Sequence, residues 1–228
     1  MIIVTGLGRC GTSILIKYLG EVGFGLGRNV NWNSEMRAGL ELSTAYCINQ
    51  GMWQGFSKSG NPIDLERIPS GDYWANKTFR EQILNVDKDE RQGKVDVIKD
   101  PRFTWHPDLI EAWWEVRKDI KLIICHRDIE QIYKSRKALN NRGQDDPKRA
   151  VHPRNPEVEL PRYKIDFADF FTKVLEIGID YELLFFPDFL GDFKTVHESL
   201  DRLGLTHDYN KGNEVWNKLI DVSLIHDR

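Results

Sequence analysis

The run Gly6, Leu7, Gly8, Arg9, Cys10, Gly11, Thr12, Ser13 crowds glycines, a cation and hydroxyls into one short stretch. Those residue types in that order suit one task, the holding of an anion. Glycines let the backbone turn tightly enough for successive N–H groups to face one point, and a guanidinium forks onto two oxygens of a phosphate or sulfate. Gly6, Gly11 and Ser13 keep the spacing of the phosphate-loop pattern G-x-x-x-x-G-K-[ST], but Thr12 stands where the lysine belongs. Without that lysine the loop lacks the charge that reaches the β- and γ-phosphates of a nucleoside triphosphate, and Arg9 supplies a cation within the loop instead. Arg127 and, eight residues on, Ser135 form a second pairing of cation and hydroxyl. One nucleotide with two separated phosphates would satisfy both. The alternative for the first loop is a tight turn whose glycines serve packing only, with Arg9 in solvent.

The elements around these residues must put them on one edge of a sheet. Ile2 to Val4 reads as a strand, and the apolar spacing of Ile14, Leu15, Tyr18, Leu19 and Val22 as a helix opening at Thr12. Val95 to Ile98, ending at Lys99, and Ile120 to Cys125, emptying into His126 and Arg127, read as further strands, and Glu182 to Phe186 as another. Helices are expected over Ser34 to Gln50, Phe79 to Glu90, Pro107 to Lys118, Ile129 to Leu139, Phe167 to Gly178 and Phe193 to Leu203. Trp53 to Asp72, with its glycines and prolines, and a mobile stretch over residues 140–162 are expected as loops. Strands alternating with helices imply an α/β fold, a P-loop-like parallel sheet flanked by helices on both faces, with ligands at the carboxyl ends of the strands. No linker divides residues 1–228, so a single domain is expected.

Composition narrows the class. A net charge of −3 argues against a general binder of nucleic acid or membrane surfaces, so any anion site is local. Lys134 to Arg154 is cationic, its basic residues opposed only by Asp145 and Asp146. Cys10, Cys47 and Cys125 are widely spaced and predict reduced thiols rather than a disulfide framework. A strand starting at Ile2 and the lack of any long apolar run predict a cytoplasmic protein with no integral membrane segment.

The combination resembles the sulfotransferases that use 3′-phosphoadenosine 5′-phosphosulfate (PAPS), and in particular the small bacterial members. In that family a loop like Arg9, Cys10, Gly11, Thr12, Ser13 cradles the 5′-phosphosulfate. Cys10 departs from the serine usual there and is a weaker donor. The family's strand-end arginine and the serine eight residues later hold the 3′-phosphate, a spacing that Arg127 and Ser135 keep. Val97, Ile98, Lys99, Asp100, Pro101, Arg102 and the segment Gly39, Leu40, Glu41 with Asn49 and Trp53 also look like bacterial members. Glu198 to Leu205 is similar to the family's C-terminal helix. The resemblance implies PAPS as co-substrate, no metal, and a small-molecule, lipid or glycan acceptor.

Sulfuryl transfer needs positive charge over the departing oxygens and a base for the acceptor's proton. Arg9 and the loop amides supply the charge, with Lys99 as a second cation. Glu41 ranks first as base, Glu35 second and His106 third; solvated helix carboxylates and a helix-capping histidine are the plainer readings of the three. Two other readings stand beside the transferase. One is a P-loop kinase using Asp100 for magnesium, against which Thr12 counts. The other is a catalytically silent nucleotide-binding protein.

Overall fold

The computed structural model describes residues 1–27, 30–33, 38–59, 62–69, 76–88, 93–142 and 156–220. Four strands, β1 (Ile2–Thr5), β4 (Val97–Lys99), β5 (Lys121–Arg127) and β6 (Tyr181–Phe186), form one sheet in the order β4-β1-β5-β6. Every neighbouring pair in it is parallel. A separate antiparallel pair joins β2 (Val30–Asn33) to β3 (Ala38–Leu42), with an irregularity between Asn31 and Trp32. Helices α1 (Thr12–Glu21), α2 (Ser43–Ser59), α3 (Phe79–Leu84), α4 (Arg102–Trp105) and α5 (Pro107–Val116) fall in the first half of the chain. α6 (Ile129–Arg142), α7 (Pro156–Ile177), α8 (Phe193–Arg202) and α9 (Tyr209–Leu219) complete the set.

A parallel sheet is covered on both faces, and its strands therefore read as nearly unbroken apolar runs. Alternate residues then serve opposite cores. Ile2, Val4, Val97, Ile123, Cys125 and Leu184 pack with α1, α8 and α9. Ile3, Ile98, Leu122 and Ile124 pack on the other face with Phe79, Ile110, Trp113 and Phe170. The register agrees, since Ile3 lies beside both Ile98 and Leu122. Among the described residues no helix is long and apolar enough to cross a membrane.

Several expected bounds are corrected. Within the span Ser34 to Gln50, residues 34–37 lie outside the described residues, Ala38–Leu42 is the strand β3, and helix starts only at Ser43. The helix then runs to Ser59, through the start of the stretch Trp53 to Asp72 expected as loop. Gly51, and Gly55 from the expected loop, serve close approach: a Cβ at Gly51 would lie 3.0 Å from the Phe79 ring, and one at Gly55 2.7 Å from the Arg67 guanidinium. Helix also occupies both ends of the span 140–162 expected as loop, because α6 reaches Arg142 and α7 starts at Pro156. Pro156 is the first residue of α7, where its missing N–H costs nothing. Residues 143–155 lie outside the described residues. The helix expected over Phe79 to Glu90 stops at Leu84, and α9 had no counterpart in the sequence reading.

Gly6 fixes how β1 leaves the sheet. A Cβ there would overlap the backbone carbonyl oxygen of Cys125 on β5, and neither backbone can retreat without breaking the β1–β5 register. Gly6→Ala is therefore expected to destabilise the fold by about 2–3 kcal/mol, measured as a lower midpoint of urea unfolding at unchanged slope.

Candidate functional site

Beyond β1, the chain turns through Gly8, Arg9 and Gly11, whose φ angles of 81°, 61° and 79° are all left-handed. A non-glycine residue in that region carries strain of about 1–3 kcal/mol, so Arg9 is held there by its surroundings. Its Nε donates to Ser135 Oγ on α6 at 3.0 Å, and its carbonyl accepts from Arg127 Nη1 at 3.3 Å. Arg127 also donates through Nε to Gln131 Oε1 at 3.1 Å, and its guanidinium lies 5.0 Å from the centroid of the Phe186 ring. The two anion-holding pairs expected from the sequence thus form one cluster. Arg127 and Ser135 are both buried, joined through Arg9 rather than directly to each other.

Gly11 caps α1 and offers no side chain to it. The first bonds to its carbonyl come from Ile14 N–H at 3.1 Å and Leu15 N–H at 3.2 Å, so the N–H groups of Thr12 and Ser13 lie ahead of the intrahelical ladder. No acidic residue occupies the first turn of α1. A Cβ at Gly11 would come within 2.5 Å of Phe186 and 2.7 Å of Phe189, and these rings hold the loop from beneath. Ser13 Oγ accepts from Lys99 Nζ at 3.2 Å, bringing the cation at the end of β4 to the same helix terminus. These uncapped amides, with Arg9, Lys99 and Arg127 around them, fit an anionic group such as a phosphosulfate.

Arg136 is a cation of the site that no spacing singled out. It donates Nη2 to the Leu7 carbonyl and Nη1 to Tyr163 OH at 2.8 Å, with its guanidinium 5.1 Å from the Trp105 centroid. The basic run beginning at Lys134 contained it, but composition gave no reason to prefer it over its neighbours.

Cys10 faces the other way. Its thiol donates to the Gly8 carbonyl at 3.1 Å, and burial pushes its pKa up to about 12 despite Arg136 and Arg127 nearby. It braces the loop as a neutral group.

The segment following β4 is structural. Asp100 accepts from Arg102 N–H at 2.9 Å, from Arg102 Nε at 2.8 Å and from Asn49 Nδ2 at 2.8 Å. Both its oxygens are engaged, which removes it from the role of an open magnesium ligand. Asn49 Oδ1 accepts in turn from Trp113 Nε1 at 2.7 Å. The two further segments that resemble bacterial members therefore meet, at Asn49 and Asp100.

Of the candidate bases, Glu35 lies outside the described residues. Glu41 is on β3, paired in register with Asn31; its backbone is described and its side chain is not. His106 is half-buried and stacked on Trp53, with ring centroids 5.1 Å apart. It occupies the N-cap position of α5 but makes no side-chain cap bond, so the capping reading is corrected. Burial, with Arg162 and Arg102 adding, lowers its pKa below the ordinary imidazole value. His106 is consequently a neutral ring at pH 7.

No protein-family model and no curated protein matches the chain. Solved structures similar to it include two sulfotransferases. The sulfotransferase STF9 from Mycobacterium avium superposes with a TM-score of 0.51 at 14% identity, over 100% of this chain and 69% of that one. The sulfotransferase domain from the curacin biosynthetic pathway gives a TM-score of 0.52 at 11% identity, over 91% and 75% respectively. The fold is sulfotransferase-like. That sulfotransferase-like sheet brings the carboxyl ends of β1, β4 and β5 together, and Arg9, Lys99 and Arg127 arise there. A cavity of about 360 Å³ lies at the opposite end of the sheet, lined by Met1, Asp96, Arg117 and Asp119 among others, and shares none of these cations.

Two outcomes are expected. In the native protein iodoacetamide at pH 8 should label exposed Cys47 and spare Cys10 and Cys125 until unfolding, as read by peptide mass spectrometry. Burial lowers the pKa of both His106 and His126, so the unfolded chain binds protons that the folded protein refuses. Stability from these neutral rings is complete above the ordinary value near 6.5 and is lost as pH falls through it toward the folded values. Denaturant titrations between pH 7 and 5 should show that decline, and His106→Gln should reduce its slope.

Proposed function

We propose that this chain is a PAPS-dependent sulfotransferase, a cytoplasmic enzyme that transfers a sulfuryl group to a hydroxyl or amine of a small-molecule, lipid or glycan acceptor. The observation that carries this reading is the convergence of Arg9, Lys99 and Arg127 on the uncapped N-terminus of α1. The sulfotransferase-like fold supports it, and three free cysteines accord with a reducing compartment.

When bound, PAPS supplies an activated sulfuryl group on a phosphate leaving group. In this reading the amides ahead of α1, with Cys10, Gly11, Thr12 and Ser13, hold the 5′ end of the nucleotide, and Arg127 with Ser135 holds its 3′-phosphate. Arg9, locked in its left-handed conformation, and Lys99, anchored on Ser13, keep positive charge over the oxygens that become negative in the transition state. Because both cations are already fixed, little reorganisation opposes the transfer, and no metal is needed for charge neutralisation. The acceptor's proton goes to Glu41, with Glu35 and His106 next in rank. His106 has the neutral ring a base requires.

The test is thermal and denaturant unfolding with 3′-phosphoadenosine 5′-phosphate, or with ATP and magnesium. The bisphosphate at a hundred times its dissociation constant should add about 2.7 kcal/mol to folding without metal, and the gain should disappear in Arg127→Ala and shrink in Ser135→Ala. Stabilisation by ATP and magnesium alone would sink the transferase reading in favour of the kinase. Tight binding of the bisphosphate with no sulfuryl transfer to any of a panel of phenol, sugar and amine acceptors would single out the silent nucleotide-binding protein.

A further inference from the structure

Helix α7 carries two apolar stripes, and the core uses only one of them. Residues three and four apart share a helix face, and Leu160, Tyr163, Phe167, Phe170, Val174 and Ile177 keep that spacing on the side packed into the two cores. The opposite side keeps it too. Val158, Pro161, Ile165, Ala168, Thr172 and Leu175 follow one another by alternate steps of three and four, none is charged, and all are exposed. Val158, Ile165 and Leu175 are 62%, 58% and 57% exposed. One exposed aliphatic residue is ordinary, but a line of them about 25 Å long on a single helix marks a contact surface.

The alternating spacing is that of a coiled-coil seam, with Val158, Ile165 and Thr172 in one set of core layers and Pro161, Ala168 and Leu175 in the other. Charged residues border it on both sides. Glu157 and Lys164 lie along one edge, and Arg162, Asp169 and Glu176 along the other. When two such helices pack parallel and in register, a residue on the first edge meets the residue five positions on in the partner. Lys164 then faces Asp169, and Glu157 faces Arg162. Both meetings join opposite charges, and a twofold axis repeats each. Glu157 and Arg162 also have contacts inside their own chain, Arg162 lying 3.7 Å from Asp166, so the meeting of Lys164 and Asp169 carries the argument. Antiparallel helices in their fullest overlap set Val158 against Leu175 and keep only one kind of ion pair, Arg162 with Asp169. The charges therefore select both the partner and its direction, and β-branched residues at Val158 and Ile165 with Leu175 in the alternate layer suit two strands.

We propose that a second copy of this chain covers the outer face of α7, the two α7 helices packing parallel and in register about a twofold axis. A seam this short would not hold two isolated helices together, but each α7 is already folded against its own core, so no helix has to form on association. The contact is small enough to exchange, and the dimer's share rises with protein concentration. Tyr163, on the inner side of the same helix, accepts from Arg136 Nη1 at 2.8 Å, so pairing of α7 steadies the arginine that holds the Leu7 carbonyl. The interface is independent of the sulfotransferase reading, because none of the stripe residues belongs to the candidate site.

Sedimentation velocity over a rising series of protein concentrations should show a species of twice the 26.6 kDa chain mass replacing the monomer. Ile165→Lys should leave the far-ultraviolet circular dichroism unchanged and raise the dimer dissociation constant at least tenfold. Lys164→Glu and Asp169→Lys should each weaken the dimer, and the two together should restore it, a rescue that a misfolded variant cannot give. In a Cys47→Ser background, Val158→Cys should yield a disulfide-linked dimer on oxidation, whereas antiparallel helices would put the two cysteines at opposite ends of the seam. A chain that stays monomeric throughout, a dimer indifferent to Ile165→Lys, a double charge variant no better than the single ones, or no cross-link at Val158→Cys would overturn the proposal. A monomer that floats with phosphatidylcholine vesicles and loses that binding in Ile165→Lys would overturn it in favour of a lipid surface.

Discussion

The site depends on how the loop after β1 spends its backbone carbonyls. A turn that runs through three left-handed residues rotates its peptide planes, and the carbonyls of Leu7, Gly8 and Arg9 need partners away from the helix they precede. Arg136 takes the first, the Cys10 thiol the second and Arg127 the third. With the carbonyls satisfied on one side, the amides that open α1 are directed to the other, ahead of any intrahelical acceptor. Arg127 and Arg136 are thus part of the scaffold before they are part of any ligand's environment. A guanidinium has five N–H donors, and these two serve side chains as well, Arg127 giving Nε to Gln131 and Arg136 giving Nη1 to Tyr163.

A buried polar network fixes the neighbouring strand end by the same logic. Thr5 Oγ1 donates to the Asp100 carbonyl at 2.8 Å and meets Thr104 Oγ1 at 2.9 Å, so the end of β1 is tied to the start of α4. Asp100 and Arg102 form an ion pair whose side chains are 1% and 8% exposed. A pair buried so deeply is weak evidence of net stability, because desolvation offsets most of the attraction. Its geometric effect is clear: with Asn49 and Trp113 it locks β4, α2 and α5 at fixed distances. Lys99, the residue before Asp100, reaches Ser13 from this fixed strand end.

How much of this the sequence disclosed follows from where the determinants lie. The central strands, the loop and α1 were legible because a buried parallel strand is a contiguous apolar run and a glycine-bounded junction is local. Arg9, Lys99, Arg127 and Ser135 could be named as candidates for the same reason, each sitting at a strand end or a fixed distance beyond it. The β2–β3 pair was missed because Ala38 to Leu42 is too short and mixed to show period two, and its partner strand is equally short. The length of α2 was hidden by the glycines and prolines after Trp53, among them Gly55, whose small size answers to Arg67, distant in sequence. Pro156 and Pro161 hid the start of α7, although one of them stands where a helix favours proline. Arg136 escaped because its partner, the Leu7 carbonyl, is a backbone atom on a far segment that leaves no mark in composition. Glu35 and the Glu41 side chain fall outside the described parts, and their rank as base comes from the resemblance of their segments to the family.

α1 links the glycine loop to the C-terminal helices. Its N-terminus presents the amides of the candidate site, and its second turn carries Tyr18, fully buried against α9 through an edge contact to Trp216 at 5.1 Å and bonded to His207. Phe193 of α8 meets the same tyrosine, with ring centroids 5.8 Å apart. Thus α8 and α9, which supply no residue to the loop, set the position of the helix that ends in it. A helix of ten residues is marginal alone and takes its stability from packing, so what loosens the Tyr18 contacts loosens the orientation of the amides at Thr12 and Ser13. The C-terminal helices thus belong to the mechanical support of the loop that opens α1.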